Sequence, residues 1–278
     1  MQATNGPLGR NSQVGGLIRD WRVRRRLTRL GLAVSADLAP RALGAWESGK
    51  VVPTQEALAR LADRLDLPLR DRNRLLVAAG YPPHFPVRRL TDPALASVKA
   101  AIDQMLARQE PYPALAIDGR WTVVASNEAL RTLIAGVDPA LLRPPVNWAR
   151  LLLHPAGLAP RIANLFAWRT YLLARIGRQF DIVGDPDLAD LLEEIGDYPA
   201  PITEETEDGI EPDAAAQALC LMTVNGPLRL FGATTVFGAA TDITLAELTI
   251  ESFFPADAET TAIMLRPADP AVPRAVVG

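Results

Sequence analysis

The sequence predicts an all-α domain followed by an α+β domain that is built on an antiparallel sheet. Residues 13–80 show the apolar spacing of short, consecutive amphipathic helices. Two later segments carry tight-turn signals, Asp118-Gly119 and Asn225-Gly226, each between two strand-like runs, and such hairpins form antiparallel sheets. The charge divides the chain in the same way, because residues 1–90 carry a net charge of +9 and the remainder a net charge of −12.

The composition excludes several classes of protein. The chain has 278 residues, of which 49% are hydrophobic and 22% charged, so one or two folded domains are expected. A single cysteine, Cys220, excludes a disulfide framework, and two histidines do not suffice for a multi-histidine metal centre. No apolar run has the length of a membrane span or forms a secretory signal. We therefore expect a cytoplasmic protein without a membrane partner.

An enzyme is not expected. Catalysis needs converging titratable groups, and two histidines, one cysteine and the lack of a glycine-rich phosphate-binding loop make an active site unpromising. The acidic segment 202–213 lacks the alternating ligands of a calcium loop, so we interpret it as a solvated loop.

The helix and hairpin signals define the predicted boundaries. We predict one domain at residues 13–82, a linker up to Asp92 and a second domain at residues 92–265. In the first domain, helices are expected from Leu17 to Arg26, after Thr28, from Pro40 to Gly49, after Thr54 and from Leu69 to Ala79. In the second, the expected helices are Pro93–Glu110 and Leu158–Phe180, and the expected strands are Ala114–Ile117, Trp121–Ala125, Leu219–Val224 and Leu228–Phe237.

The segment from Thr28 to Lys50 has the spacing of a helix-turn-helix. A short helix, a three-residue turn and a second helix from Pro40 would place Leu32 and Ala33 against Leu43, and in such motifs the second helix enters the DNA major groove. An ordinary five-helix bundle has the same spacing. The basic charge favours a nucleic-acid partner, although an adaptor that binds an acidic protein would also be basic.

Residues 16–83 resemble the XRE-type helix-turn-helix domain. The matching positions are Arg22, Thr28, Leu32, Ala33, Leu43, Glu47, Gly49, Pro53, Leu58, Leu61 and Ala62. The resemblance implies that Arg22 pairs with Glu47 and ties the first helix to the end of the recognition helix. It also implies a set of DNA-facing residues, namely Arg29, Pro40, Arg41, Ala42, Gly44, Ala45 and Lys50.

This set departs from the family pattern. Arg29 stands where the family usually has Gln, and in the recognition helix only Arg41 can form bidentate contacts to guanine. Specificity is therefore partly indirect, or affinity is mainly electrostatic through Arg29, Lys50 and Arg24–Arg26. The three consecutive arginines cannot all face DNA from one helix, so at least one is expected in solvent.

The rest of the chain resembles the MmyB-like ligand-binding domain of transcription regulators. The resemblance is carried by EPYPALAIDGRWTVVASNEAL, VDPALLRPPVNWARLLLHPAGLAPRI, NLFAWRTYLLARI and TTVFGAATDITLAELTIESFFPADAET. It implies a PAS-like fold with an apolar cavity that can hold a fatty acid or a similar lipid, and no other cofactor. The residues that could line this cavity, or simply fill a core, are Leu165, Phe166, Leu172, Leu173, Phe231, Val236 and Phe237.

An apolar acid in a dry cavity needs a polar anchor for its carboxylate. The candidates are His154, Arg161 and Arg169, of which Arg169 interrupts an apolar helix face and could equally be a surface residue. The position of Asn127 favours a helix N-cap over a pocket donor. Phe253 and Phe254 could close the pocket or form a dimer contact.

Together these features predict a one-component transcription regulator. We expect the first domain to bind a double-stranded DNA operator, as a homodimer because one short module reads few bases, and the second to sense a small apolar ligand. Alternatively, the second domain only mediates dimerisation or protein interaction. The high Arg and Ala content is typical of a GC-rich bacterial genome.

Overall fold

A computed structural model describes residues 7–200 and 218–266, which fall into two compact units. The first unit runs to Arg88 and also contains Ala240–Ile243, and the second begins at Arg89 and contains the other residues. The acidic segment that we interpret as a loop, 202–213, lies outside the described residues.

The first unit contains the five helices that the sequence predicts, although the first begins at Pro7 rather than Leu17 and ends at Arg24 rather than Arg26. They are α1 (Pro7–Arg24), α2 (Arg29–Ser35), α3 (Pro40–Glu47), α4 (Gln55–Arg64) and α5 (Leu69–Ala78). The predicted caps are also present, because the hydroxyls of Thr28 and Thr54 accept the backbone N–H groups of Gly31 and Ala57. Gly49 follows α3 with a φ of 71°, which a glycine adopts without strain.

Gly15 lets α1 approach the end of α3. A Cβ atom at residue 15 would lie 2.3 Å from the carbonyl oxygen of Trp46 and 3.0 Å from that of Glu47. Both neighbours are backbone atoms, so neither can rotate away. The absence of a side chain at this position of α1 therefore sets the distance between the first helix and α3.

The second unit is built on a five-stranded antiparallel sheet. Its strands are β1 (Ala114–Ile117), β2 (Val123–Ser126), β3 (Ala218–Thr223), β4 (Gly226–Val236) and β5 (Thr249–Pro255), in the order β2-β1-β5-β4-β3. Both predicted hairpins are confirmed, as β1–β2 and β3–β4. Strand β5, which we did not predict, lies between the two hairpins at the centre of the sheet.

Seven more helices follow in the described residues: α6 (Ala96–Arg108), α7 (Glu128–Leu133), α8 (Trp148–Leu153), α9 (Leu165–Val183), α10 (Pro186–Gly196), α11 (Ile243–Ala246) and α12 (Ala258–Met264).

Two details of the predicted elements are wrong. The predicted helix 158–180 is interrupted, because Ile162 pairs with Leu221 of β3 and α9 begins only after Asn164. Trp121 has a φ of 66° and belongs to the turn rather than to β2.

Apolar side chains cover both faces of the sheet. Alternate residues of β1 point to opposite faces, so Leu115 and Ile117 join the main core with α8, α9 and α10. The other face meets α6 in a smaller group, the α6 cluster, made of Ile102, Leu106, Ala114, Ala116, Leu248 and Ile250. The second unit is therefore an α+β domain with helices on both faces of an antiparallel sheet.

The outer edge of β3 is covered by the segment before α9. The Nδ2 of Asn164 donates to the carbonyl oxygen of Ala218 at 2.8 Å, and its Oδ1 accepts the N–H of Cys220 at 3.0 Å. Ala163 N–H adds a bond of 2.8 Å to the Cys220 carbonyl. At the opposite edge, Val123 of β2 donates its N–H to the carbonyl oxygen of Val146 at 2.8 Å.

Candidate DNA interface and ligand site

Apolar contacts fix the crossing of α2 and α3. Leu32 and Ala33 of α2 are fully buried, and they share a core with Leu43 and Trp46 of α3. Asp37 makes the turn between the helices with a φ of 53°, a left-handed conformation that Asp tolerates better than most residues. This is the geometry of a helix-turn-helix, in which the second helix is held rigidly against the first.

The carboxylate of Glu47, at the end of α3, binds two arginines. Arg22 donates to it at 2.6 and 3.2 Å, as the family resemblance implies, and Arg29 donates at 2.7 Å. The Glu47 side chain is only 1% exposed. Burial raises the pKa of Glu47, but the hydrogen bonds and charges of Arg22 and Arg29 outweigh it and hold the pKa below its usual value. The carboxylate is therefore ionised near neutral pH and links α1, α2 and α3.

The surface of α3 and its surroundings carries positive charge. The side chain of Arg29 is 58% exposed in spite of its bond to Glu47. Pro40, Arg41 and Lys50 are exposed, and among the described residues neither Arg41 nor Lys50 has an ion-pair partner. The small residues of α3 are half-buried, namely Ala42, Gly44 and Ala45. The recognition helix thus presents one long cationic side chain on a surface of small residues.

The three consecutive arginines at the end of α1 have different surroundings. Arg25 donates to the carbonyl oxygens of Leu65 and Asp66 at 2.8 and 3.0 Å, so it holds the end of α4. Arg24 lies over the ring of Trp21, 5.2 Å from its centroid, and Arg26 is exposed. Arg25 is therefore occupied within the protein.

The apolar candidates for the ligand cavity lie in different places. Leu172 is buried in the main core, and Leu165 and Leu173 pack against it. Phe166, Phe231 and Val236 are exposed, and Phe237 packs against the α6 cluster. The structure thus divides the predicted lining among the two faces of the sheet and the surface.

The three candidate anchors all bond to groups of the protein itself. Arg169 donates to the carbonyl oxygens of Ile195, at 3.4 Å, and of Gly196, which end α10. Arg161 donates to the carbonyl oxygens of Leu133, Ala135 and Met222, and burial lowers its pKa. The Nδ1 of His154 accepts the N–H of Ala156 at 3.0 Å. These bonds tie together neighbouring segments of the second unit.

Asn127 is the N-cap of α7, as its position predicts. Its Oδ1 accepts the N–H groups of Leu130 and Ala114, and its Nδ2 donates to the carbonyl oxygen of Tyr112. Of the paired aromatics, Phe253 is buried in the main core, whereas Phe254 is exposed.

A buried ion pair in the second unit was not predicted from the sequence. Arg175 of α9 forms two bonds with the carboxylate of Glu251, which is in β5, and Thr234 of β4 donates to the same carboxylate at 3.2 Å. The Arg175 guanidinium also lies over Trp121, 4.9 Å from the ring centroid. Burial opposes the charge of Arg175, yet the bonds to Glu251 raise its pKa. The one sequence signal was an acidic residue inside the apolar run of β5.

Each unit has a cavity that is open to solvent. One of about 860 Å³ lies in the first unit between α1 and α5, where Leu17, Asn73 and Val77 are among its lining residues. Asn73 is engaged there, because its amide donates to the carbonyl oxygen of Phe85 and accepts the backbone N–H groups of His84 and Phe85. Another cavity, of about 450 Å³, is a cleft in the second unit, and we call it the β2 cleft. Its walls come from α6, β2 and the start of α7.

No metal site is present in the described part of the chain. Within residues 7–200 and 218–266, no group of three His, Cys, Asp or Glu side chains could hold a metal ion. Over the same residues, no helix has the length and apolar character needed to cross a membrane.

Comparison with known families agrees with the two units. A helix-turn-helix family matches residues 18–71, and the family described as MmyB-like transcription regulator ligand binding domain matches residues 98–266, more than half of the chain. The two matches define a DNA-binding transcription regulator with a ligand-binding domain. By the longer match, the chain belongs to the family of MmyB-like transcription regulators. Both regions are domains of a transcription regulator. A search of curated proteins found no match.

Proposed function

We propose that this protein binds a specific operator as a homodimer and that its second domain senses a small apolar acid, such as a fatty acid. The observation that carries the DNA-binding part is the exposed Arg41 on α3, a helix held in place by the buried Arg22–Glu47 pair. A rigidly held helix with one free guanidinium suits recognition of guanine in a major groove.

The other residues of the DNA-facing set have separate roles in this proposal. Ala42, Gly44 and Ala45 let α3 approach the base edges closely and offer contacts to thymine methyl groups. Arg29 and Lys50 bind phosphates on either side of the groove. Glu47 orients Arg29, because its carboxylate lies 2.7 Å from the Arg29 Nε. An α3 of 8 residues reads few base pairs, and a homodimer would double the site.

The ligand-sensing part of the proposal is supported by the match to a ligand-binding domain and by the apolar interior of that domain. A bound ligand can change DNA affinity only if the two arrangements of the dimer bind it unequally. Coupling between sites is usually about 1–3 kcal/mol, or roughly five- to 150-fold in affinity. We keep His154, Arg161 and Arg169 as the proposed anchors for the carboxylate, each of which also bonds to the backbone of the second unit through some of its nitrogens.

The DNA assignment is tested with duplexes selected by the full-length protein from a random library. Fluorescence anisotropy with selected and scrambled duplexes is measured over a range of salt concentrations. Arg41→Ala should weaken binding of the selected duplex about tenfold or more and leave scrambled DNA little changed. Arg29→Ala should weaken both duplexes and reduce the salt slope by about 1. Arg143→Ala, an exposed arginine of the second unit, is the control. Equal affinity of all variants for every duplex contradicts the assignment.

A dimerisation-only role for the second domain is the alternative, and one observation favours it. Phe231 and Phe254 are directly opposite each other on β4 and β5, and both are exposed, as is Met222 of β3. Such an apolar sheet face is typical of a protein interface. Mass spectrometry of an organic extract separates the two roles, since a stoichiometric lipid supports sensing. With no lipid and no effect of added fatty acid on DNA affinity, dimerisation alone would remain.

A further inference from the structure

We propose that residues 240–243 transmit the ligand state of the second domain to the DNA-binding domain. These four residues are part of the segment that joins β4 to β5, residues 237–248, which we call the β4–β5 connection. The inference rests on the proposed control of DNA binding by a ligand, and it names the segment through which this control acts. It does not depend on which molecule the second domain senses.

The β4–β5 connection returns to the first unit. The chain leaves that unit after Arg88, enters it again for Ala240–Ile243 and then leaves it a second time. Domains that are joined by one flexible linker respond largely independently of each other. Residues 240–243 have no such freedom, because the chain on either side of them continues into a strand of the second unit.

Asp242 and Ile243 are firmly bound inside the first unit. The Nη1 of Arg88 donates to the Asp242 carboxylate at 3.0 Å, and the Ile243 N–H donates to the carbonyl oxygen of Pro86 at 2.9 Å. The Asp242 side chain is only 4% exposed, and Ile243 is buried as well. Separating a buried carboxylate from its cation is costly, so these contacts resist opening.

The segment that these residues contact leads to the recognition helix. The Asn73 amide of α5 donates to the carbonyl oxygen of Phe85 and accepts its N–H, which fixes the chain just before Pro86 to α5. Ile243 also lines the cavity of about 860 Å³ between α1 and α5. Helix α1 in turn approaches α3 closely at Gly15. A close-packed interior deforms little, so a displacement of residues 240–243 is passed on through α5 and α1.

The other end of this route is the central strand of the second unit. Val236 of β4 pairs with Thr249 of β5, so the β4–β5 connection begins and ends beside one pair of facing residues. Strand β5 is in the middle of the sheet, and its Glu251 binds Arg175 of α9. A ligand that displaces α9 or β5 would therefore displace residues 240–243 as well.

The test uses DNA as the probe, because coupling between two sites is reciprocal. Hydrogen exchange of the β5 amides is measured in the full-length protein with and without the selected duplex. If opening of β5 releases residues 240–243 and lowers DNA affinity, bound duplex slows this exchange by the same factor. In the wild type we expect slowing of about fivefold or more, the lower end of the usual range of coupling.

Two variants remove the Arg88–Asp242 pair, and a third is the matched control. Asp242→Asn and Arg88→Gln should each remove most of the slowing at β5, although anisotropy shows that the duplex is bound. Arg88 is 39% exposed, so Arg88→Gln should fold even if the loss of the Asp242 charge is not tolerated. Arg89→Gln removes the same charge from the next position, which is exposed, and should keep the full slowing.

The outcomes separate this inference from the proposed function. If the duplex binds the wild type and β5 exchange is unchanged, the inference is overturned and the DNA-binding proposal stands. Full slowing in both Asp242→Asn and Arg88→Gln would also overturn it, because the coupling would then use another route. If no selected duplex binds the wild type, the DNA-binding proposal and the inference both fail. The lipid extract tests the identity of the ligand separately.

Discussion

Replacing Arg22 with alanine removes the main partner of a carboxylate that is almost completely buried. Glu47 would keep only Arg29, whose side chain is largely in solvent, and the Leu27 carbonyl oxygen would lose a bond of 2.8 Å from Arg22. Loss of one partner from a buried ion pair usually costs about 3–5 kcal/mol. Because Arg29 remains, we expect the free energy of unfolding of the first unit to fall by about 3 kcal/mol, the low end of this range.

Arg29→Ala is the matched comparison, since it removes the other bond to the same carboxylate. An ion pair with one largely exposed partner contributes about 0–1 kcal/mol, so this variant should lose little stability. Hydrogen exchange of the amides in α1 and α3 is a suitable assay, because it measures the first unit separately from the second. If Arg22→Ala lowers the free energy of unfolding of the first unit no more than Arg29→Ala does, the structural role of the Arg22–Glu47 pair is refuted.

The same pair predicts how stability depends on pH. The folded-state pKa of Glu47 lies below its usual value of 4.5. Its contribution is therefore complete above that value and is lost as the pH falls through the lowered folded-state pKa. Acid unfolding of the first unit, followed by hydrogen exchange below pH 4.5, should be less steep in Glu47→Gln than in the wild type. Identical profiles would show that Glu47 does not titrate with unfolding.

Three further substitutions test other contacts. Gly15→Ala should cost about 1–3 kcal/mol and weaken DNA binding, because its methyl group would meet the Trp46 carbonyl; normal stability and affinity would contradict this. Asn127→Ala removes the cap of α7 and its bonds to β1 and Tyr112, so thermal unfolding should show a loss of about 3 kcal/mol, and a loss below 1 kcal/mol would contradict the cap. Asn164→Ala exposes the edge of β3, so we expect about 2–4 kcal/mol of destabilisation and more aggregation by light scattering; an unchanged variant would show that the edge needs no cover.

Local signals were sufficient to predict most of the first unit. Thr28, Pro40, Gly49 and Thr54 each act on a helix end within a few residues, so capping chemistry alone locates the helices. The same holds for the two tight turns of the second unit. The DNA-facing residues of α3, by contrast, could be identified only through a family resemblance.

The central strand β5 could not be predicted from local signals. Its side chains include Glu251, which is only 3% exposed, and an acidic residue argues against a buried strand. Glu251 is tolerated because Arg175, 76 residues away in sequence, neutralises it. A similar long-range contact interrupts the predicted helix 158–180, where Ile162 pairs with Leu221.

The candidate ligand site shows the same limit. Nothing near Arg161 or Arg169 in sequence shows which groups these side chains contact. Only the fold shows that both donate to backbone carbonyl oxygens of the second unit. The family resemblance likewise grouped Leu172 and Phe231 as residues that line one cavity or fill one core, although they lie on opposite sides of the sheet.

The covered edges of the sheet restrict how two copies can associate. Asn164 and Ala163 occupy backbone groups of β3 that a strand from a second copy would need, and Val146 does the same for the first part of β2. Two copies therefore cannot join their sheets into one continuous ladder through β3 without first displacing the segment before α9. A symmetric pairing that leaves this segment in place has to use the remainder of the β2 edge, the sheet faces or the helices, and contacts between faces or helices can slide or rotate by small steps while both sheets stay intact.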